Sequence, residues 1–162
     1  MAVSMHIQID TIPGMSEVDG KENQIQVDSF SWGATQTTNF KNATGGTAGV
    51  VDVQDLHFTH MYDKSSPKLL QACATGQHID SAVFTCRKAG GDSAIDFLTI
   101  TLSNVIVSSV MPSGSNMSDT PMESVSLAFA EYKVEYQEQM NDGSKKGGPI
   151  EAKFSVQKNK AV

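Results

Sequence analysis

The sequence has no long apolar run and no recognisable export signal. No segment approaches the ~20 consecutive apolar residues of a membrane-spanning helix, so we expect no membrane insertion. Residues 1–6 contain neither the basic stretch nor the apolar stretch with which a secretory signal peptide begins. The sequence therefore predicts that the general secretory route does not export this chain.

Positive charge and cysteine are both scarce. Twelve Lys and Arg residues stand against 18 Asp and Glu residues, which gives a net charge of −6. This balance disfavours the phosphate backbone of nucleic acid, so we expect no nucleic-acid partner. The two cysteines, Cys73 and Cys86, lie in or next to apolar segments. We interpret them as buried free thiols, although their spacing leaves a disulfide open.

What the sequence does contain is the alternation of apolar and polar residues that is typical of β-strands. The 162 residues, 39% hydrophobic and 19% charged, predict one globular domain, residues 1–162. About seven or eight segments show this alternation of apolar and polar residues, and we interpret each as a β-strand. Several change parity partway, as at residues 28–29, where a bulge would restore one inward face. Such strands favour a curved sheet or a barrel over a flat sandwich.

Two segments interrupt the alternation. Residues 65–76 begin with serine, carry Pro67 at the first helical position and end at Gly76, which predicts one short helix from Pro67 to Thr75. Residues 34–49 are polar and contain three glycines. This stretch is longer than the ~12–15 residues beyond which a structureless loop is usually functional or disordered, so we interpret it as a functional loop.

The residues offer no positive evidence for catalysis. His57 and His60 are three apart on a predicted strand and point to opposite faces, so they cannot ligate one metal. We interpret them as partly exposed strand residues, and His6 and His78 as isolated. No nucleophile elbow and no phosphate-binding loop is present. We therefore expect no catalytic residues, no metal and no cofactor, and an unrecognised hydrolase is the least favoured alternative.

The unusual feature of the predicted strands is the small size of the side chains that alternate with the apolar ones. A freely solvated strand face usually carries Lys, Glu or Arg. Small, nearly uncharged faces would suit a close protein neighbour or an enclosed channel, although the ordinary β-propensity of Ser and Thr would also explain them. These small residues are Ser29, Ser31, Thr99, Thr101, Ser103, Ser124, Ser126, Ala128 and Ala130.

Five segments resemble, in order, those of a known family. They are residues 29–33 (Ser-Phe-Ser-Trp-Gly), 53–59 with the following 63–67, 87–91, 107–110 and 134–136. Together they are similar to the haemolysin-coregulated protein (Hcp) family, the inner-tube protein of bacterial type VI secretion systems. The resemblance extends from Met1 to about Lys158.

The resemblance implies a fold, an assembly and a location. The fold would be mainly β, a β-barrel of two antiparallel sheets with one short α-helix and a long protruding loop. The chain would form homohexameric rings that stack into a tube inside a contractile sheath, and the tube would be expelled with a spike protein. Its lumen would carry or chaperone small effector proteins. The protein would wait in the bacterial cytoplasm before firing and leave the cell without a signal peptide.

The resemblance also implies two contact sites. Ser29 and Ser31 would line the lumen and touch effectors. The long loop would reach an adjacent ring through Asn39, Phe40, Lys41, Gly45 and Gly46. Two alternatives stay open: a phage tail-tube protein of the same fold, and a monomeric ligand-binding β-barrel with a closed apolar pocket.

Overall fold

Most of the chain is β-strand, and one helix follows the sixth strand. The computed structural model describes residues 3–41, 46–88 and 94–162. The strands are β1 (Val3–Ile9), β2 (Ile25–Val27), β3 (Ser29–Ser31), β4 (Ala34–Asn39), β5 (Thr47–Val53), β6 (Leu56–Met61), β7 (Ile79–Lys88), β8 (Asp96–Ser113), β9 (Met122–Tyr136), β10 (Ile150–Ser155) and β11 (Lys160–Ala161), and the helix is α1 (Ser66–Thr75).

Two antiparallel sheets are present, as expected. The larger has nine strands in the order β11-β10-β9-β8-β7-β1-β2, with β6 also paired to β9 and β3 to β6. The long strand β9 organises this sheet. One side of it pairs with β8 along its whole length, and the other pairs first with β6 and then with β10. The smaller sheet is the β4–β5 hairpin.

The parity change predicted at residues 28–29 corresponds to a change of partner. Strand β2 pairs with β1, whereas β3, which follows after the single residue Asp28, pairs with β6. The backbone N–H of Asp28 donates to the carbonyl of Thr59, 2.8 Å away, and holds this junction in place. Residues 25–31 thus connect the β1 edge of the large sheet to β6. This connection favours the predicted barrel, whose closure stays a prediction.

The core consists of apolar side chains from one face of the large sheet and from α1. Each large apolar side chain that is fully buried stabilises the fold by roughly 1.5–3 kcal/mol. Cys86 is buried and Cys73 is half-buried, and both are free thiols, as predicted. The largest fully buried apolar residues are Phe58, Phe84, Ile7, Ile25, Leu56, Leu69, Leu102 and Leu127.

The predicted helix is confirmed with one correction at its start. It begins at Ser66, one residue before Pro67, and Ser65 makes no side-chain capping bond to the helix. Instead, the Ser65 backbone N–H and hydroxyl both donate to a carboxylate oxygen of Asp63. The end is as predicted, because Gly76 adopts a left-handed conformation (φ 63°) that favours glycine.

The predicted loop 34–49 is largely a β-hairpin. Strands β4 and β5 pair from Ala34 opposite Val53 to Asn39 opposite Thr47, with an irregularity between Gln36 and Thr38. The β-branched residues of this segment fit a strand, which the count of polar residues concealed. Strand β8, with 18 residues, extends through Met111 and Pro112 to Ser113.

Candidate functional site

One face of strands β3, β6 and β9 carries mainly hydroxyl groups. The registers place Ser29, Thr59 and Ser124 in one row across the three strands. Ser31, His57 and Ser126 form the next row. Residues in register point to the same side of a sheet, so the six side chains share a surface. We call it the hydroxyl face: Ser29, Ser31, His57, Thr59, Ser124 and Ser126.

Hydrogen bonds join neighbouring strands across the hydroxyl face. The hydroxyls of Ser29 and Thr59 lie 2.6 Å apart, and Nδ1 of His57 lies 2.5 Å from Oγ of Ser126. Ser109 of β8 also donates to the Ser126 hydroxyl over 3.1 Å. Among the six residues of the face only His57 can carry a charge. The surface is therefore small, polar and nearly neutral, and its shallow cleft measures about 160 Å³.

Sequence reasoning placed Ser29 and Ser31 at this surface, and both side chains are exposed there. Phe30 lies on the opposite side of β3, where its ring packs against Phe84 with ring centroids 4.5 Å apart while 37% of it stays exposed, and Trp32 packs against the core. The alternation therefore separated the hydroxyl-bearing side of β3 from its aromatic side. It did not identify His57 as part of the same face, because that requires the register between β3 and β6. Effector contact at Ser29 and Ser31 stays a prediction.

The second small-residue stretch, on β8, is not a neutral face. Thr99, Thr101 and Ser103 lie opposite Glu135, Lys133 and Glu131 of β9. Lys133 Nζ forms ion pairs with Glu135, at 3.1 Å, and with Glu151 of β10, at 3.4 Å. The expectation of an uncharged surface is wrong there. The parity change within β9 replaces small residues with charged ones in its second half.

Four of the five residues predicted for ring-to-ring contact are described, and they lie at the tip of the β4–β5 hairpin. Asn39 ends β4, and its side-chain oxygen accepts a hydrogen bond from the backbone N–H of Lys41 over 3.0 Å. The Phe40 side chain is 78% exposed, and one side of its ring faces Gly46 so closely that a Cβ there would overlap it. Gly45 lies outside the described residues. The hairpin tip, defined as Phe40, Lys41 and Gly46, thus presents an aromatic ring beside a cation.

Two of the four histidines are buried, which sequence reasoning missed. His57 and His60 face opposite sides of β6 as predicted, yet His60 is fully buried and its Nε2 lies 2.9 Å from the Glu123 carboxylate. His6 is not isolated. It is also fully buried, and its Nε2 lies 3.1 Å from the Ser16 hydroxyl. Both histidines are buried because residues from distant parts of the chain pack over them, and no local sequence pattern reveals such packing.

A buried charged cluster fixes the segment 10–24 to the sheet. The Lys21 ammonium, only 6% exposed, donates to Asp96 over 2.9 Å and to the Thr85 hydroxyl over 2.8 Å. Arg87 donates to the other oxygen of Asp96, also over 2.9 Å. Burial raises the pKa of Asp96, but the hydrogen bonds from Lys21 and Arg87 outweigh it and hold that pKa below its ordinary value. For His6, burial and then the charges of Lys21 and Arg87 lower the pKa.

Neither a metal site nor a membrane helix is found in the part of the chain that the structure describes. Within residues 3–41, 46–88 and 94–162, no group of three His, Cys, Asp or Glu side chains could hold a metal ion. The helix found among these residues is too short to cross a bilayer.

Known proteins resemble this chain along its full length. The family model for "Type VI secretion system effector, Hcp" matches residues 6–136. "Protein hcp1" of Pseudomonas aeruginosa is 43% identical over 159 residues, 98% of each chain. A solved type six secretion system protein is 30% identical with a TM-score of 0.92, covering 99% of this chain and 100% of that one. Hcp1 from Salmonella typhimurium is 34% identical with a TM-score of 0.82, covering 100% of each. This chain therefore belongs to the Hcp family of type VI secretion system proteins.

Proposed function

We propose that this protein is the inner-tube subunit of a type VI secretion system. Six copies form a ring with an open channel, rings stack into a tube, and the tube carries small effector proteins when sheath and spike proteins expel it. The protein waits in the cytoplasm and leaves the cell as part of the tube. The observation that carries this proposal is full-length membership of the Hcp family.

The hydroxyl face supports a role as the channel lining. A surface that holds diverse cargo loosely benefits from small polar groups and from the absence of fixed charge, since a buried unpaired charge would cost affinity. Ser29 and Ser31 are exposed on this face, where Ser29 lies opposite Thr59 and Ser31 opposite His57. We assign effector contact to these two serines.

The hairpin supports the stacking of rings. Strands β4 and β5 pair with each other, and their side chains from Ala34 to Asn39 are exposed along the whole of β4. An exposed two-stranded sheet whose one charged residue is Asp52 is a surface that a soluble monomer usually avoids. Contact with another ring would cover it.

The ligand-binding barrel is less favoured because apolar side chains fill the space on the inner face of the large sheet. Phe58 and Phe84 are both fully buried there, and the residues that pack around them are apolar. A hydrolase is disfavoured at the histidine–serine pair of the hydroxyl face, which resembles a base and a nucleophile. His57 touches Ser126, but no carboxylate orients its Nε2 among the described residues. Family membership favours a type VI system over a phage tail tube.

Light scattering behind a sizing column tests the ring, followed by negative-stain images of the same peak. We expect a particle of about 104 kDa, six times the 17.4 kDa subunit, that appears as an open ring. A 17.4 kDa monomer at high concentration would contradict the proposal and favour the binding barrel.

A further inference from the structure

A cleft at the end of β6 has apolar walls and an acidic rim. It measures about 400 Å³, which falls within the range of ligand-binding cavities. Met15, Met61 and Tyr62 line it, and their side chains are 59%, 56% and 41% exposed. Asp28 and Asp63 also line it. We call these five residues the acidic cleft.

The two carboxylates of the acidic cleft differ in what they already bind. One oxygen of Asp63 accepts hydrogen bonds from Ser65. Asp28 is exposed, and its carboxylate has no hydrogen bond or ion pair with any residue in the described ranges. The cleft thus has an unsatisfied negative charge next to flexible thioethers and an aromatic ring. This combination suits a cation that arrives together with an apolar group.

The hairpin tip has the complementary composition. Phe40 exposes most of its ring, and the next residue is the exposed cation Lys41. The contact of Phe40 with Gly46 and the bond from the Lys41 backbone to Asn39 hold both residues in place. Pre-ordering of this kind lowers the entropy that binding would cost.

The hairpin tip and the acidic cleft lie at opposite ends of one two-stranded ribbon. Strands β3 and β4 run in sequence from Asp28 to Asn39, opposite β6 and β5, and the Gln54 N–H bonds to the Gly33 carbonyl between the two pairings. At about 3.3 Å per residue the two ends are separated by up to about 35 Å. The paired strands thus hold the tip and the cleft of one copy apart. The tip can instead reach the acidic cleft of a second copy that is displaced along the direction of the ribbon. Such a head-to-tail contact repeats from copy to copy without closing into a ring.

We propose that the hairpin tip of one copy docks in the acidic cleft of a second copy in the next ring. Lys41 faces Asp28 and Asp63, and the Phe40 ring lies against Met15 and Met61. The contact rests on the proposed stacking of rings, and it names the receiving site for the tip.

Charge exchange tests this contact on intact rings. We expect Lys41→Glu and Asp28→Lys each to reduce tube formation at least fivefold, measured by sedimentation and electron microscopy. The double variant should recover to within twofold of the unchanged protein. Lys158→Glu, an exposed change of the same sign on the β10–β11 turn, serves as the control. Single variants that stack like the unchanged protein, or a double variant that does not recover, would overturn the contact.

Cross-linking tests it without long tubes. Lys41→Cys and Asp28→Cys proteins, each with Cys73→Ser and Cys86→Ala, are mixed and treated with a short bis-maleimide. We expect at least five times more mixed dimer than when Lys158→Cys replaces Lys41→Cys. Equal yields overturn the contact. Light scattering on the same sample separates this proposal from that of the ring. Intact rings without preferential cross-links would contradict only the contact between the hairpin tip and the acidic cleft. A sample without rings would contradict the proposed ring itself.

Discussion

Nε2 of His60 lies 2.9 Å from Oε1 of Glu123, and neither side chain reaches solvent. The two residues are directly opposite each other on β6 and β9. Among the residues that the structure describes, none hydrogen-bonds to Nδ1 of His60, which lies 3.9 Å from a carboxylate oxygen of Asp63. The pair therefore joins β6 to β9 through a single buried polar contact.

Removing one partner of this pair is expected to destabilise the fold. Glu123→Leu leaves the His60 imidazole buried without a partner, which costs about 3 kcal/mol of the free energy of unfolding. Urea denaturation measures the loss. Glu151→Leu, on a side chain 45% exposed, is the matched control and should cost far less. The double change His60→Phe with Glu123→Leu should recover most of the stability. Equal losses for Glu123→Leu and Glu151→Leu would contradict this view of the pair.

A second expected effect is pH dependence of stability from His6. Because the pKa of His6 is lowered in the folded protein, chiefly by burial, His6 binds more protons in the unfolded chain than in the folded chain around pH 6.5. The contribution of His6 to stability is therefore complete above about pH 6.5 and decreases as the pH falls towards the lowered pKa. His6→Gln should make the free energy of unfolding less dependent on pH between 7.5 and 5.

The control for this measurement is His78→Gln, which changes an exposed histidine and should leave the pH dependence nearly as it is. Unfolding by urea at a series of pH values gives the slopes of all three proteins. The same slope for His6→Gln and the unchanged protein would show that burial does not hold His6 neutral.

Local patterns in the sequence predicted the elements better than their partnerships. Pro67 and Gly76 marked the helix to within one residue, and the parity change at residues 28–29 marked the partner exchange at Asp28. The His60–Glu123 pair could not be predicted in this way, because its members are 63 residues apart and meet through the register of β6 with β9. Burial of such residues is a property of the assembled sheet.

The same distinction holds for the contact surfaces. Alternation placed Ser29 and Ser31 on the exposed side of β3. The acidic cleft was missed, since it brings Met15 together with Met61 from a different part of the chain. Phe40 within a polar stretch was the local signal for the hairpin tip. Nothing near it in the sequence indicates a receiving site.

Gly46 is expected to control ring stacking through Phe40. A Cβ at this position would overlap the Phe40 ring, so Gly46→Ala must displace the ring from its place. We expect rings of unchanged mass and a lower yield of tubes, measured by light scattering and electron microscopy. Gly148→Ala is the control, because a Cβ there meets no atom of the described residues within 4 Å. Undiminished tubes from Gly46→Ala would show that the position of Phe40 does not matter for stacking.

Ser31→Gln is expected to separate cargo binding from assembly. Ser31 lies directly opposite His57, so the longer amide extends over the neutral centre of the hydroxyl face and takes up space that a bound effector would use. The backbone pairing of β3 with β6 does not involve the side chain, and the ring should keep its mass.

Co-expression with an effector protein of the same system, followed by purification of the rings, measures the effector retained per ring. We expect a loss of several fold for Ser31→Gln and none for Ser118→Gln, which changes an exposed serine away from this face. Equal retention by both variants would exclude Ser31 from the cargo surface and leave the ring proposal intact.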